Sequence, residues 1–171
     1  RLVALGVPAG KVSIVMNAPD LARFDAAAHP ERAWCADGTL RLVYAGALTP
    51  TYEVDVIVEA LARLRTLRSS LAVALDVYGR GDSEPALRAL AERLGVADAV
   101  VFHGRIPLEA VPAAMAGADI GIAATRRSPF TDASLSTKLF EYAAMGKPVV
   151  ATDLPTVARY FPVGTAALYA A

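Results

Sequence analysis

Cysteine and histidine are nearly missing from this sequence: Cys35 stands alone, and His29 and His103 are the only imidazoles in 171 residues. A lone thiol makes no internal disulfide and no cysteine-rich zinc site, and two histidines are too few for a histidine metal centre, so no metal is expected. Such cysteine usage suits a reducing compartment, and a cytoplasmic location is expected. An excess of charge is lacking too, with 17 Lys and Arg against 17 Asp and Glu. A balanced chain offers a polyanion no general attraction, so nucleic acid is not an expected partner. No apolar run reaches the length of a membrane-spanning helix, and the first residues lack the basic, apolar and small-residue order of a signal peptide, so a soluble chain is expected. Neither the three spaced glycines of the dinucleotide fingerprint nor the Gly-Lys-Ser/Thr of the P-loop occurs, which counts against a dehydrogenase or an ATPase.

What is present is apolar surface, 55% of the residues. That suffices for one full core and, at this length, one globular domain. Lys11 to Val15 is short and β-branched and reads as a strand, and Asn17 to Asp20 as the turn after it. From Leu21 to Gly38 no period persists, which predicts a surface linker. A regular alternation then begins. Leu40 to Ala45, Leu71 to Tyr78, Ala99 to His103, Asp119 to Ala124 and Val149 to Thr152 read as strands. Between them, Val54, Ile57, Val58, Leu61 and Leu64 mark a helix, with Glu59 and Arg63 paired on its other face. A second helix runs from a Ser83 cap through Leu87, Leu90, Ala91 and Leu94 to Gly95. Leu108 to Ala116 and Ser134 to Met145 are predicted as further helices, the last closed by Gly146 and Pro148. Trp34 and Cys35 are expected to pack within the linker. Ala166 to Tyr169 looks like one more strand beginning; with Arg1 at the start, it suggests a fragment of a longer protein.

Strands alternating with helices imply right-handed crossovers and a Rossmann-like α/β domain, an open parallel sheet with helices on both faces. Ligands of such sheets bind outside the carboxyl ends of the strands. Gly46, Gly79, Gly81 and Gly104 stand at those ends, where a missing side chain lets backbone N–H groups approach a phosphate; each is also explained by a tight turn. The segment from Ser134 to Pro148 carries more. Leu135, Leu139 and Ala143 are expected to form one buried row, while Thr137, Lys138 and Glu141 share a face near the helix start. Free N–H groups, the helix dipole and the Lys138 cation suit a diphosphate, and the Glu141 carboxylate suits a pair of ribose hydroxyls. The spacing equally allows a plain ion pair between Lys138 and Glu141. His103, a lone histidine at a strand end, is expected to be structural.

Taken in order, these segments resemble the C-terminal, donor-binding domain of retaining GT-B glycosyltransferases, the large group 1 or family 4 class. Val15 to Asp20, with Phe24, resembles the crossover from the acceptor-binding domain; Tyr44 to Leu48 and Val54 to Val56 are similar to the family's opening strand, loop and helix. Val101 to Ile106 resembles its base-binding loop, with Gly104, Arg105 and Ile106 in the base-contacting places, and Ala118 to Ile122 the strand before the donor sugar. Leu139 to Thr152 is similar to the family's most recognisable stretch. The resemblance divides the chain into residues 1–38, an interdomain crossover strand and linker, and 39–171, a truncated nucleotide-sugar-binding domain.

It also implies roles. Thr137, Lys138, Leu139 and Glu141 would bind the donor nucleotide, Glu141 through the ribose. The family's first glutamate falls at Ala133, with Asp132 one position away. Its usual arginine and lysine-glycine in the phosphate loop fall at Ala47, Tyr52 and Glu53, which leaves Lys138 and the helix N-terminus to hold the diphosphate, with Arg80, Arg105 or Arg126 as further cations. The expected donor is a nucleoside diphosphate sugar, UDP favoured, with no cofactor. Catalytic residues are unassigned, because the acceptor side belongs to an N-terminal domain outside this chain. The domain alone would bind without turnover, and the intact enzyme would be able to lie peripherally on a membrane. A non-catalytic nucleotide-sugar-binding module and a GT-B-like sugar-nucleotide epimerase are the competing readings.

Overall fold

In a computed structural model, the chain is described over residues 2–13, 15–30, 32–161 and, as backbone, 167–169. Six strands form one sheet: β1 Thr39–Ala45, β2 Ala72–Tyr78, β3 Val100–Gly104, β4 Ile120–Ala123, β5 Val149–Thr152 and β6 Ala167–Tyr169. All neighbours are parallel, and their order is β3-β2-β1-β4-β5-β6. The helices are α1 Val54–Leu67, α2 Glu84–Arg93, α3 Val111–Ala116, α4 Thr137–Ala144 and α5 Pro155–Tyr160. The fold is therefore the Rossmann-like α/β sheet expected from the alternation.

From β1 the chain winds outward to β3, returns across the sheet, and winds outward again from β4. Right-handed connections then place α1 and α2 on one face and the later helices on the other. The core divides accordingly. Val54, Ile57, Val58 and Leu61 of α1 and Leu87, Leu90 and Ala91 of α2 pack on Tyr44, Leu75 and Val77. Met115 of α3, Leu139 and Tyr142 of α4 and Val157 of α5 pack on Val43, Ala123 and Ala151. Val43 and Tyr44 are consecutive and serve opposite cores, as the alternation of a strand requires. The strand order reverses between β1 and β4, which opens a crevice at their carboxyl ends.

Tyr142 fixes α4 at that crevice. Its hydroxyl donates to Val43 O at 3.1 Å and accepts from Ala45 N at 3.3 Å. Its ring lies flat on Gly121 of β4, where an added Cβ would come within 2.5 Å of it. A helix tied to two strands in this way holds its first turn in one place.

Several expectations need correction. Val12, Ser13 and Val15 form no strand: Ala9–Lys11 is a 3-10 turn, none of the three joins a ladder among the described residues, Ile14 lies outside those residues, and Val15 is 91% exposed. A β-branched run without a neighbouring edge has nowhere to send its backbone hydrogen bonds. Residues 21–38 are more than a surface linker, because Phe24 enters the second core and Arg32 donates to Ala36 O and Thr39 O. Buried Asp119 completes that anchor by accepting from Cys35 N and Arg41 N. Trp34, by contrast, does not pack and is 61% exposed.

Helix details shift as well. Ser83 stands before α2 without a side-chain cap, and Leu94 lies past its last turn and is exposed. The expected pair of Glu59 and Arg63 makes no ion pair among the described residues. α4 begins at Thr137 rather than Ser134, since Thr131–Ala133 forms its own 3-10 turn and Ser136 is extended at φ −72°, ψ 128°. On α4 the buried row is Leu139 and Tyr142, followed by Met145, while Ala143 faces outward. Of the strand expected at Ala166 to Tyr169, Ala166 lies outside the described residues.

Candidate functional site

At the crevice a cavity of about 250 Å³ opens onto the start of α4, lined by Ser136, Thr137, Lys138 and Leu139. The first N–H groups of a helix have no acceptor within it, and Ser136 makes no side-chain cap here. They are open to a ligand, at the positive end of the helix dipole.

Lys138, in the first turn, is only 9% exposed. Its ammonium lies 3.9 Å from the ring centre of Tyr52 and 5.4 Å from that of Tyr44. No carboxylate among the described residues reaches ion-pair distance; Glu141 acts on it only from farther off. Burial therefore dominates and pushes the pKa of Lys138 down to about 8, with Glu141 pulling the other way. The plain Lys138–Glu141 ion pair allowed by the spacing does not form. Glu141, half-buried, has its pKa raised by burial, against the attraction of Lys138 and a hydrogen bond from Thr137.

Gly46 makes the place for that lysine. A Cβ there would stand 2.4 Å from Lys138 Cε and 2.8 Å from the Tyr44 hydroxyl. Gly46 and Gly79 do not turn their N–H groups to a ligand, because Gly46 N donates to Tyr78 O at 2.9 Å and Gly79 N to Gly104 O at 2.8 Å. Their lack of side chains serves close packing of the loops instead. A Cβ on Gly79 would fall 1.8 Å from Gly46 O, and one on Gly81 2.1 Å from Leu48 O. Gly104, at φ +72°, lies beside Arg80.

A second hollow, of about 360 Å³, borders the first across Gly46 and is lined by Gly79, Arg80, Arg105 and Ile106. The structure thus brings Thr137, Lys138 and Leu139 to one hollow and Gly46, Gly79, Arg105 and Ile106 to the other. Gly81, Gly104 and Glu141 stand outside both linings.

Other expected cations and carboxylates are spent elsewhere. Arg126 Nε donates to Pro50 O at 3.0 Å, and the guanidinium lies 3.8 Å from Glu53 and 3.7 Å from Asp55. Asp132 pairs with Arg127 at 3.2 Å. His103 is the satisfied structural residue expected, 2.6 Å from Asp76 and stacked on Tyr78 with ring centres 4.3 Å apart. Asn17, Tyr52, Thr125, Phe130 and Thr152 line the first cavity without having been singled out as ligand-binding residues. For Thr125 and Thr152 a signal existed: Thr152 ends β5 and Thr125 lies two residues past the end of β4, both at the carboxyl edge, where Thr125 N donates to Thr152 Oγ1 at 2.9 Å. Among the described residues no three His, Cys, Asp or Glu side chains form a metal set, and no helix is long and apolar enough to cross a membrane.

Comparison with known proteins gives this geometry a family. The family model of glycosyl transferases group 1 matches residues 39–171. A GDP-mannose-dependent alpha-(1-6)-phosphatidylinositol monomannoside mannosyltransferase of Mycolicibacterium smegmatis is 37% identical over 106 residues, 61% of this chain and 27% of that protein. A D-inositol 3-phosphate glycosyltransferase of Stackebrandtia nassauensis is 42% identical over 73 residues, 39% of this chain and 16% of its own. HepE of Anabaena, solved in complex with UDP, has the same fold at a TM-score of 0.74 and 18% identity, over 98% of this chain and 46% of that one. The apo lipopolysaccharide outer core galactosyltransferase WaaB gives 0.68 and 20% identity over 99% and 45%. The chain spans under half of each of these proteins. With a family match that runs from β1 through β6, the chain belongs to the group 1 glycosyltransferases.

Proposed function

We propose that this chain is the C-terminal, donor-binding domain of a retaining glycosyltransferase that moves a sugar from a nucleoside diphosphate, UDP in preference, to an acceptor held by a second domain. The observation that carries the proposal is Lys138: a buried ammonium with no carboxylate at ion-pair distance among the described residues, beside the open N–H groups of α4. Such a cation is costly unless something anionic completes it. A diphosphate does so, with the nucleoside reaching past Gly46 towards Arg105 and Ile106 and its ribose hydroxyls donating to Glu141. As the sugar leaves, negative charge grows on the diphosphate, and prepositioned donors stabilise it without reorganising. No metal is needed in that scheme, because Lys138 and the helix dipole supply the positive field. The acceptor and any group that touches it belong to the partner domain, so the chain alone binds without turnover.

UDP in HepE supports uridine, while the mycobacterial relative is named for GDP-mannose. Titration with UDP and with GDP, each against wild type and Lys138→Ala, decides the matter. UDP binding at micromolar to low millimolar strength, lost in the variant, is expected; binding of neither nucleotide would defeat the proposal.

A second reading, a nucleotide-sugar-binding module without activity, draws on the phosphate loop. Ala47, Tyr52 and Glu53 stand there where the family's cations would be, and Arg126, which reaches that loop from the segment after β4, is held by Glu53 and Asp55. Both readings predict binding, and sugar transfer by the full-length protein separates them.

A further inference from the structure

Lys138 poses a question that the donor-site reading leaves open: what holds a buried ammonium in place before any ligand arrives. The groups that face it are few. Glu141, on its own helix, lies beyond ion-pair distance and acts only through space. Tyr44, on β1, presents its ring at 5.4 Å and commits its hydroxyl to Ala47 O at 2.7 Å. Tyr52, from the loop before α1, presents the face of its ring at 3.9 Å. A cation at that distance over an aromatic face is attracted by the ring quadrupole, the more so when water is excluded.

The loop that carries Tyr52 is itself tied down. Tyr52 N donates to Thr49 O at 3.0 Å. Arg126 grips the residues just before it, its backbone N donating to Thr51 O at 2.8 Å and its Nε to Pro50 O at 3.0 Å. Glu53 and Asp55 keep the Arg126 guanidinium there. The ring is thus fixed from the β4 side of the crevice, while the lysine it faces comes from α4.

We infer that Tyr52 is a positioning residue for Lys138: its ring face holds the ammonium against Gly46 and the α4 N-terminus, so that an entering diphosphate meets a cation already in place. The inference rests on the donor-site reading. An aromatic face suits this task where a carboxylate does not. It attracts the ammonium yet carries no net charge, so the lysine keeps its full positive charge for a ligand. A carboxylate at the same spot would neutralise it and compete with the phosphate.

Two measurements on one set of proteins test this: the titration of the Lys138 ammonium followed by NMR without ligand, and UDP affinity by calorimetry. The set is wild type, Tyr52→Phe, which keeps the ring, and Tyr52→Leu, which removes it; Tyr52→Met replaces the leucine variant if that chain does not fold. Tyr52→Phe should leave both readouts unchanged. Tyr52→Leu should lower the Lys138 pKa by about half a pH unit and weaken UDP about fivefold, the loss expected for one desolvated cation–π contact. If the leucine variant binds UDP as wild type does, or if its lysine titrates unchanged, the inference is overturned. If wild type itself binds neither UDP nor GDP, the donor-site reading fails, and the role assigned to Tyr52 fails with it. NMR alone would then still report the ring contact.

Discussion

Gly46 and Lys138 compete for one volume: a Cβ on the glycine would stand 2.4 Å from Cε of the lysine and 2.9 Å from its Nζ. The end of β1 lacks a side chain so that a lysine from α4 can cross beneath the loop that follows. The contact also joins the two hollows of the crevice, with Lys138 lining one and Gly46 the other.

Gly46→Ala should therefore act on both folding and binding. Lys138 is long and its end can swing aside, whereas the Tyr44 hydroxyl, 2.8 Å from the added Cβ, has little room. Overpacking of this kind costs about 1–3 kcal/mol. UDP affinity should fall about tenfold or more as the ammonium leaves its place, a loss of roughly 1.4 kcal/mol or more. Calorimetry beside denaturant unfolding separates the two effects.

Lys138→Met should make the free protein more stable while abolishing nucleotide binding. The folded-state pKa of Lys138 is about 8, below its ordinary 10.5. Below about pH 8 the protein bears the full cost of a buried charge, and as pH rises from about 8 to 10.5 the folded state releases the proton while the unfolded chain keeps it, so that cost is relieved. A gap of this size corresponds to at most about 3 kcal/mol. Thermal unfolding at pH 7 should show methionine above lysine, with the difference shrinking by pH 10.

The same titration limits binding from above. A diphosphate needs the ammonium charged, so UDP affinity should be steady below about pH 8 and decline above it. Lys138→Arg, which stays charged, should lose that decline, whatever its absolute affinity. Affinity measured from pH 6 to 9.5 provides the check.

Glu141→Gln should discriminate between ligands. If the carboxylate takes the ribose hydroxyls, UDP should weaken about tenfold or more, the value of a charged hydrogen bond, while inorganic pyrophosphate binds as before. An equal loss for both would place Glu141 on the phosphate side through Lys138.

Much of the fold was legible in the sequence. The nearly unbroken apolar run Leu71 to Tyr78 is of the kind expected for a strand covered on both faces, and β2 at Ala72–Tyr78 follows, although only Val73, Leu75 and Val77 are fully buried and the other face is partly exposed. The Lys11 to Val15 expectation failed because local propensity cannot report that no sheet edge lies alongside. Helical spacing placed Thr137, Lys138 and Glu141 near one another, but not their depth. That depends on Tyr142, whose hydroxyl reaches the β1 backbone and whose ring lies on Gly121, contacts between residues far apart in the chain. Packing also decided the inner face of α4, since the large Tyr142 ring fills the core and small Ala143 is left outside. Arg126 looked available for phosphate because charge was visible and its partners Glu53 and Asp55, brought close only by folding, were not.

A crystal structure of the protein with UDP would test the central claim most directly. The diphosphate should lie at hydrogen-bond distance, about 3 Å, from Lys138 Nζ and from N–H groups in the first turn of α4, with the uracil beside Arg105 and Ile106. A diphosphate bound elsewhere, for example in the hollow that Arg93 and Arg126 line together with Tyr52, would contradict the claim that Lys138 and α4 form the donor site.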